Sequence, residues 1–287
     1  MQQTSEPRHG LRARTFSCMG TVISLTMPAG PHKAPHAADD ELEAATAVVE
    51  RLFARLDGTF SLYRPDSEAS RLGRGELGLQ EASDEMRARY TEASEWRLLT
   101  EGAFTAERPD GILDLSGLIK GHAMKEAGIS LHALGLEDWC LNAGGDVLVS
   151  GSPDPGSGEA WRAGIVDPAD RRTLLAGFPL GGLPGGLASG LAADGGAPGN
   201  TASRSRMALA TSGSAERGDH IWAAGGRAAE FWQVSVAAAD AVTADVLATA
   251  IVAGGTAMLN RAAELWDVEV LAVRRDGDLL ATAGFRR

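Results

Sequence analysis

The apolar residues of this chain switch repeatedly between alternation and helical spacing, and they do so without a regular strand-helix-strand rhythm. Thr21 to Met27 alternates, as a half-buried strand does. Three prolines between Pro28 and His36 break it. Leu42, Ala45, Val49, Leu52, Phe53 and Leu56 then share one helical face, opened by Asp39 or Asp40 and closed at Gly58. Ser83, with Asp84 and Glu85 behind it, opens a second helix that turns Met86, Tyr90, Ala93 and Leu98 inward. Ile112 to Leu115 reads as a short strand running through Ser116-Gly117 into a helix that reaches about Leu134. Trp139 to Ser150 is a strand interrupted at Asn142 to Asp146. Trp161 to Val166 and Phe231 to Ala238 are further strands. Thr243 to Ala253 is a helix ended by Gly254-Gly255. Val268 to Arg274 and Leu279 to Ala283 flank Asp276-Gly277, a strong hairpin signal. Without strict βαβ order the class is α+β, with a mixed, mostly antiparallel sheet and packed helices.

The 287 residues suffice for a sizeable core. Residues 1–14 are polar and read as a flexible N-terminus ahead of one domain over 15–287. Residues 177–206 are rich in Gly, Ala and Ser and read as a long mobile loop or insertion. Lys plus Arg is 27 against 38 Asp plus Glu, a net charge of −11. Such a chain repels a phosphate backbone, which argues against general nucleic-acid or anionic-membrane binding. An anionic ligand would need a local device, such as a metal ion or a helix N-terminus. Cys18 and Cys140 are too few for a disulfide framework and read as free thiols in a reducing compartment. No apolar run is long enough to span a bilayer, and the N-terminal stretch has no apolar signal region. The expectation is a cytoplasmic protein without membrane insertion.

Four constellations could carry chemistry. Asp114 to His122 delivers an Asp, a tight turn and Lys120 to a helix start, which suits a pyrophosphate or is an ordinary strand-turn-helix with a solvated lysine. Asn142-Ala143-Gly144-Gly145-Asp146 is a close backbone approach to a ligand, or a plain turn with Asp146 in an Asx role. Ala210-Thr211-Ser212-Gly213, followed by Glu216, Arg217, Asp219 and His220, can wrap a phosphate or ribose. His220 is a base near neutral pH or a structural histidine. Asp245 and Thr249 project from one helix face and suit Mg²⁺, or else Thr243 caps the helix and Asp245 favours its dipole.

Taken together these segments resemble the ApbE family of FAD:protein FMN transferases. Met19-Gly20-Thr21 resembles its opening Met-Gly-Thr. Phe60 to Leu72 resembles its Phe-Ser-x-Tyr/Phe-x-x-Asp-Ser-Glu-Leu-Ser-x-Leu signature. Asp114 to Gly121, Asn142 to Asp146, Ala210 to Gly213 and Ala244 to Thr249 match its later motifs in order. Six ordered motifs across most of the chain are highly specific, although each alone is weak. The resemblance implies a T-fold-like architecture and Mg²⁺-dependent cleavage of the FAD pyrophosphate. FMN would pass to a Thr or Ser hydroxyl of an acceptor protein, releasing AMP. The acceptor motif, Asp-x-x-Ser/Thr-Gly-Ala-Thr/Ser, is not found in this chain.

By motif position, the resemblance places Met19, Tyr63, Ala103, Phe104, Thr105, Asp114, Lys120, Ser212 and Ile221 at FAD. Gly117, through its carbonyl, and the side chains of Asp245 and Thr249 would hold Mg²⁺. His220 matches a family histidine proposed as base, and His220 or Asp245 would assist the acceptor hydroxyl. The chain also departs from the family pattern. Thr105 stands where the family has Asp, Ser116 where it has Gly, and Gly73 where it has Asn. His122 to Lys125 and His220 to Gly226 also differ. Two alternatives to transfer follow: an FAD or nucleotide-binding protein without transfer, and a pyrophosphatase giving FMN and AMP.

Overall fold

In the computed structural model, which describes residues 10–29, 35–170, 172–181, 205–213 and 230–286, the alternating segment forms strand β2 (Thr21–Pro28). Ile23, Leu25 and Met27 are its buried side. It pairs antiparallel with β1 (Leu11–Cys18) through a two-residue turn at Met19 and Gly20, both at positive φ, 51° and 70°. Such turns match the twist of their strands but strain any residue other than Gly or Asn. Residues 11–14, expected to be loose, are thus strand. β1 is an edge strand with mostly exposed residues, and Arg12 and Arg14 reach Asp39 and Glu43 on helix α1 (Pro35–Phe60). An edge strand that faces solvent shows no apolar alternation to betray it.

Helices α2 (Glu68–Gly73), α3 (Asp84–Leu99) and α4 (Ser116–Ala133) follow before the chain returns to the sheet as β3 (Trp139–Ala143) and β4 (Asp146–Ser150). Strands β5 (Trp161–Val166) and β6 (Leu174–Leu180) pair with each other. The remaining elements are β7 (Ala208–Gly213), β8 (Phe231–Ala238), helix α5 (Ala241–Leu265), β9 (Glu269–Arg274) and β10 (Leu279–Ala281). The main sheet runs β1-β2-β3-β4-β7-β8-β9-β10 with every neighbouring pair antiparallel, as the α+β reading expects. The insertion expected over 177–206 begins inside β6, and residues 182–204 lie outside the described residues.

Helices α1, α4 and α5 pack on the sheet and on one another. The β5–β6 pair is fastened to the main sheet by Trp161 Nε1 donating to the Ser150 carbonyl and Gln233 Nε2 to the Val166 carbonyl, at 2.9 and 3.0 Å. Every residue of β4 is buried, so it is covered on both faces. α5 is long and apolar enough to cross a membrane, yet Val246, Leu247, Ala250 and Ile251 are fully buried in the protein core. The glycine pair that was expected to end it is a break instead. Gly255 sits at φ 64°, and Glu230 accepts from the Thr256 N–H and hydroxyl, so the helix restarts.

Two other expectations need correction. Leu98 is 79% exposed, because it lies five residues, about 140°, from the Ala93 face of α3. Ile112 to Leu115 makes only one bridge, Glu107 to Leu113, rather than a sheet strand.

α4 and α5 meet at Gly121. A Cβ there would lie 2.9 Å from Val242 Cα and 3.0 Å from the Ala241 carbonyl oxygen, both backbone atoms that cannot swing aside. Gly121→Ala is expected to cost about 1–3 kcal/mol through this overpacking. Thermal unfolding followed by circular dichroism should show a melting temperature lower by roughly 2–10 °C. An unchanged melting temperature would show that the helices are free to part.

Candidate active site

The sheet register gathers the turn motifs at one end. Ile23 lies opposite Ala143, Ala143 opposite Asp146, and Val147 opposite Leu209. The Met19-Gly20 turn, the Gly144-Gly145 turn and the end of β7 are therefore neighbours. Gly144 and Gly145 adopt φ of 64° and 99°. A Cβ on Gly144 would fall 2.4 Å from Thr21 Oγ1, so close approach as well as conformation demands glycine. The Asx role in this turn belongs to Asn142, whose Oδ1 accepts from the Gly145 N–H. Asp146 is instead buried, 2% exposed. Its Oδ1 accepts from the Thr211 N–H at 2.9 Å, and its Oδ2 lies 2.6 Å from Lys120 Nζ.

The helices supply the other half. Asp240 caps α5 by accepting from the Thr243 N–H, which leaves Asp245 unneeded for the cap. Asp245 is buried; its Oδ2 accepts from the Gly121 N–H at 3.1 Å and its Oδ1 stands 3.6 Å from Lys120 Nζ. One turn on, Thr249 Oγ1 shares a 3.1 Å hydrogen bond with Ser212 Oγ at the end of β7. A Cβ on Gly117, in the first turn of α4, would lie 3.9 Å from Thr249 Oγ1 and 3.3 Å from the Phe104 ring. Ala103 packs against Gly254, and the Phe104 N–H is held by Thr100 Oγ1. Asp114 Oδ1 accepts from the Ser116 N–H at 2.9 Å, closing the turn into α4. Thr105 is half-buried, its hydroxyl accepting from the Glu107 N–H.

Gly117, Lys120, Ser212, Asp245, Thr249, Ala103 and Phe104 thus converge where α4, α5 and β7 meet. Met19 and Tyr63 belong to a second region. Met19 lines an open groove of about 420 Å³ with Cys18, Thr21, Val22 and Asp57. Asp57 also pairs with Arg64, which brings the neighbouring Tyr63, 89% exposed, to that side. Burial and the charge of Asp57 push the Cys18 thiol up, and burial pushes Cys140 up to about 12, so both are thiols rather than nucleophiles at neutral pH. His220 and Ile221 lie outside the described residues.

The sequence pattern left Asp146 as a possible turn residue and missed its tie to Lys120. The available signal was a charged residue opening an otherwise apolar strand, Asp146-Val147-Leu148-Val149.

Two buried carboxylates, Asp146 and Asp245, face the Lys120 ammonium. The oxygens of Asp245, Thr249 and the Gly117 backbone are hard donors, and a carboxylate with hydroxyl, carbonyl, water and phosphate partners fits Mg²⁺. Among the described residues no three His, Cys, Asp or Glu side chains gather. The architecture is an antiparallel α+β sheet with helices packed on it.

The comparisons agree. The profile of the ApbE family matches residues 19–107 and 105–272, and the chain belongs to that family. The fold is similar to the flavin transferase ApbE from Vibrio cholerae, with a TM-score of 0.70 at 20% identity over 97% of this chain and 99% of that one. It is likewise similar to the Pseudomonas stutzeri flavinyl transferase ApbE in its apo form, with a TM-score of 0.70 at 18% identity, covering 99% of each chain. The apbe protein from Thermotoga maritima gives a TM-score of 0.69 at 18% identity, covering 96% of this chain and 98% of that one. No curated protein sequence matches.

Proposed function

We propose that this protein transfers FMN from FAD to a Thr or Ser hydroxyl of an acceptor protein, with Mg²⁺, and releases AMP. The observation that supports this reading is that Gly117 of α4 approaches Thr249 of α5 while Asp245, one turn earlier on α5, accepts from the Gly121 N–H, in a family whose solved relatives are named flavin transferases. Asp245, Thr249 and the Gly117 carbonyl would hold the ion. When bound, Mg²⁺ offsets the charge of the pyrophosphate and polarises its phosphoryl oxygens. Lys120 adds a fixed ammonium beside the same oxygens. Ser212 orients Thr249. The Phe104 ring packs beside Gly117. Tyr63 presents an unpacked ring, the form a flavin-stacking partner needs, and Met19 lines the groove on that side. His220 would take the acceptor proton, by its motif position.

Incubation with FAD, Mg²⁺ and co-expressed candidate acceptors tests this. The expected result is AMP together with a covalently fluorescent acceptor. AMP with only free FMN would identify a pyrophosphatase. FAD retained without either product would identify a carrier.

A further inference from the structure

The groove of about 420 Å³ beside the β1–β2 turn carries an ion pair that no step of the transfer uses. Met19 and Val22 give the groove apolar surface. Val22 is 58% exposed, and Met19 is held at φ 51°, a strained conformation for a residue with a side chain. Asp57 gives it a polar wall, with a side chain only 16% exposed. Burial, and after it the Asp57 charge, pushes up the Cys18 thiol on the same groove, so the carboxylate acts on that wall. Asp57 Oδ2 accepts from Arg64 Nη1 at 3.2 Å. A carboxylate accepts several hydrogen bonds and a guanidinium donates several, so this one bond leaves acceptor and donor capacity side by side. Arg64 directly follows Tyr63, whose ring is exposed.

We propose that Asp57 and Arg64 read the edge of the flavin ring, Asp57 accepting from the N3–H of the isoalloxazine and Arg64 donating to a neighbouring ring carbonyl. The inference rests on the groove taking the flavin end of FAD, as argued above. The pyrimidine edge of that ring presents a carbonyl, an N–H and a carbonyl in a row. Its complement is an acceptor with a donor beside it, which is what the pair offers, while Met19 and Val22 offer apolar surface to a flat ring. A site built to hydrogen-bond a substrate N–H rejects the analogue that lacks it, because its own polar group is then left unpaired. A pair that only fastened the end of α1 would change stability and treat all flavins alike.

Calorimetric titration of the full chain with FAD, with 3-methyl-FAD, which lacks the N3–H, and with ADP, which lacks the flavin, tests this. Ca²⁺ replaces Mg²⁺ as the oxygen-bound ion in all three titrations. The parent is expected to bind FAD about tenfold more tightly than 3-methyl-FAD. Asp57→Ala is expected to lose about tenfold in FAD affinity, while 3-methyl-FAD and ADP bind it within about threefold of the parent. The comparison of the two flavins on the parent needs no variant, so the idea stays testable if Asp57→Ala fails to fold. A parent that binds both flavins alike, or an Asp57→Ala protein that loses FAD and 3-methyl-FAD equally, would overturn the proposal while leaving the flavin site standing. FAD bound by the parent no more tightly than ADP would overturn both, because the flavin end would then contribute nothing.

Discussion

Replacing Asp245 with alanine is expected to lower AMP release from FAD by about a thousandfold or more, equivalent to roughly 4 kcal/mol of lost transition-state stabilisation. The same substitution removes the carboxylate that accepts from the buried Gly121 N–H, at a cost of about 1–3 kcal/mol in stability. The two effects separate in Asp245→Asn. Its amide oxygen still accepts from Gly121, so thermal stability stays near that of the parent. Its lost charge leaves the ion weakly held, so turnover stays low. Steady-state AMP release, read beside thermal unfolding for both variants, checks this. Parent-like turnover in either variant would remove Asp245 from the metal site.

The second large effect is expected at Lys120. Its ammonium lies beside Asp146, which is 2% exposed, and it also faces Asp245. Lys120→Met removes the ammonium that faces the buried Asp146 and Asp245 carboxylates. Removing one partner of a buried ion pair costs about 3–5 kcal/mol, or a fall in melting temperature of roughly 10 °C. Added Mg²⁺ should restore part of the loss, because an ion bound only by the folded state stabilises it. A Lys120→Met protein that melts within a degree or two of the parent, with or without Mg²⁺, would show that the carboxylates do not depend on this lysine.

Parts of the fold were legible because local chemistry dictated them. Asp276-Gly277 turns a hairpin, with Gly277 at φ 93°. Ser83 caps α3 by accepting from the Met86 N–H. The Asn142 to Asp146 motif is a turn between β3 and β4. What was not legible depends on tertiary partners. β1 was hidden because its exposed side chains pair with α1 instead of alternating. The continuation of α5 past Gly255 needs Glu230, which is distant in sequence, to cap it again.

The site divides in the same way. Asp245 and Thr249 were readable as one helix face, because their spacing is local. The proximity of Gly117 to Thr249, and of Ser212 to Thr249, arises only when α4, α5 and β7 pack together. Asp146 was misjudged for the same reason. Its motif suggests a turn, while its function in the fold is set by Lys120 and Thr211, neither of which is near it in sequence.

The most direct measurement is a crystal structure of the protein with FAD and Mn²⁺, using anomalous scattering to locate the ion. An anomalous peak is predicted within about 2.2 Å of a carboxylate oxygen of Asp245, the Thr249 hydroxyl and the Gly117 carbonyl, with the FAD pyrophosphate completing the shell. A flavin bound with its phosphates elsewhere, or an ion held by other residues, would contradict it.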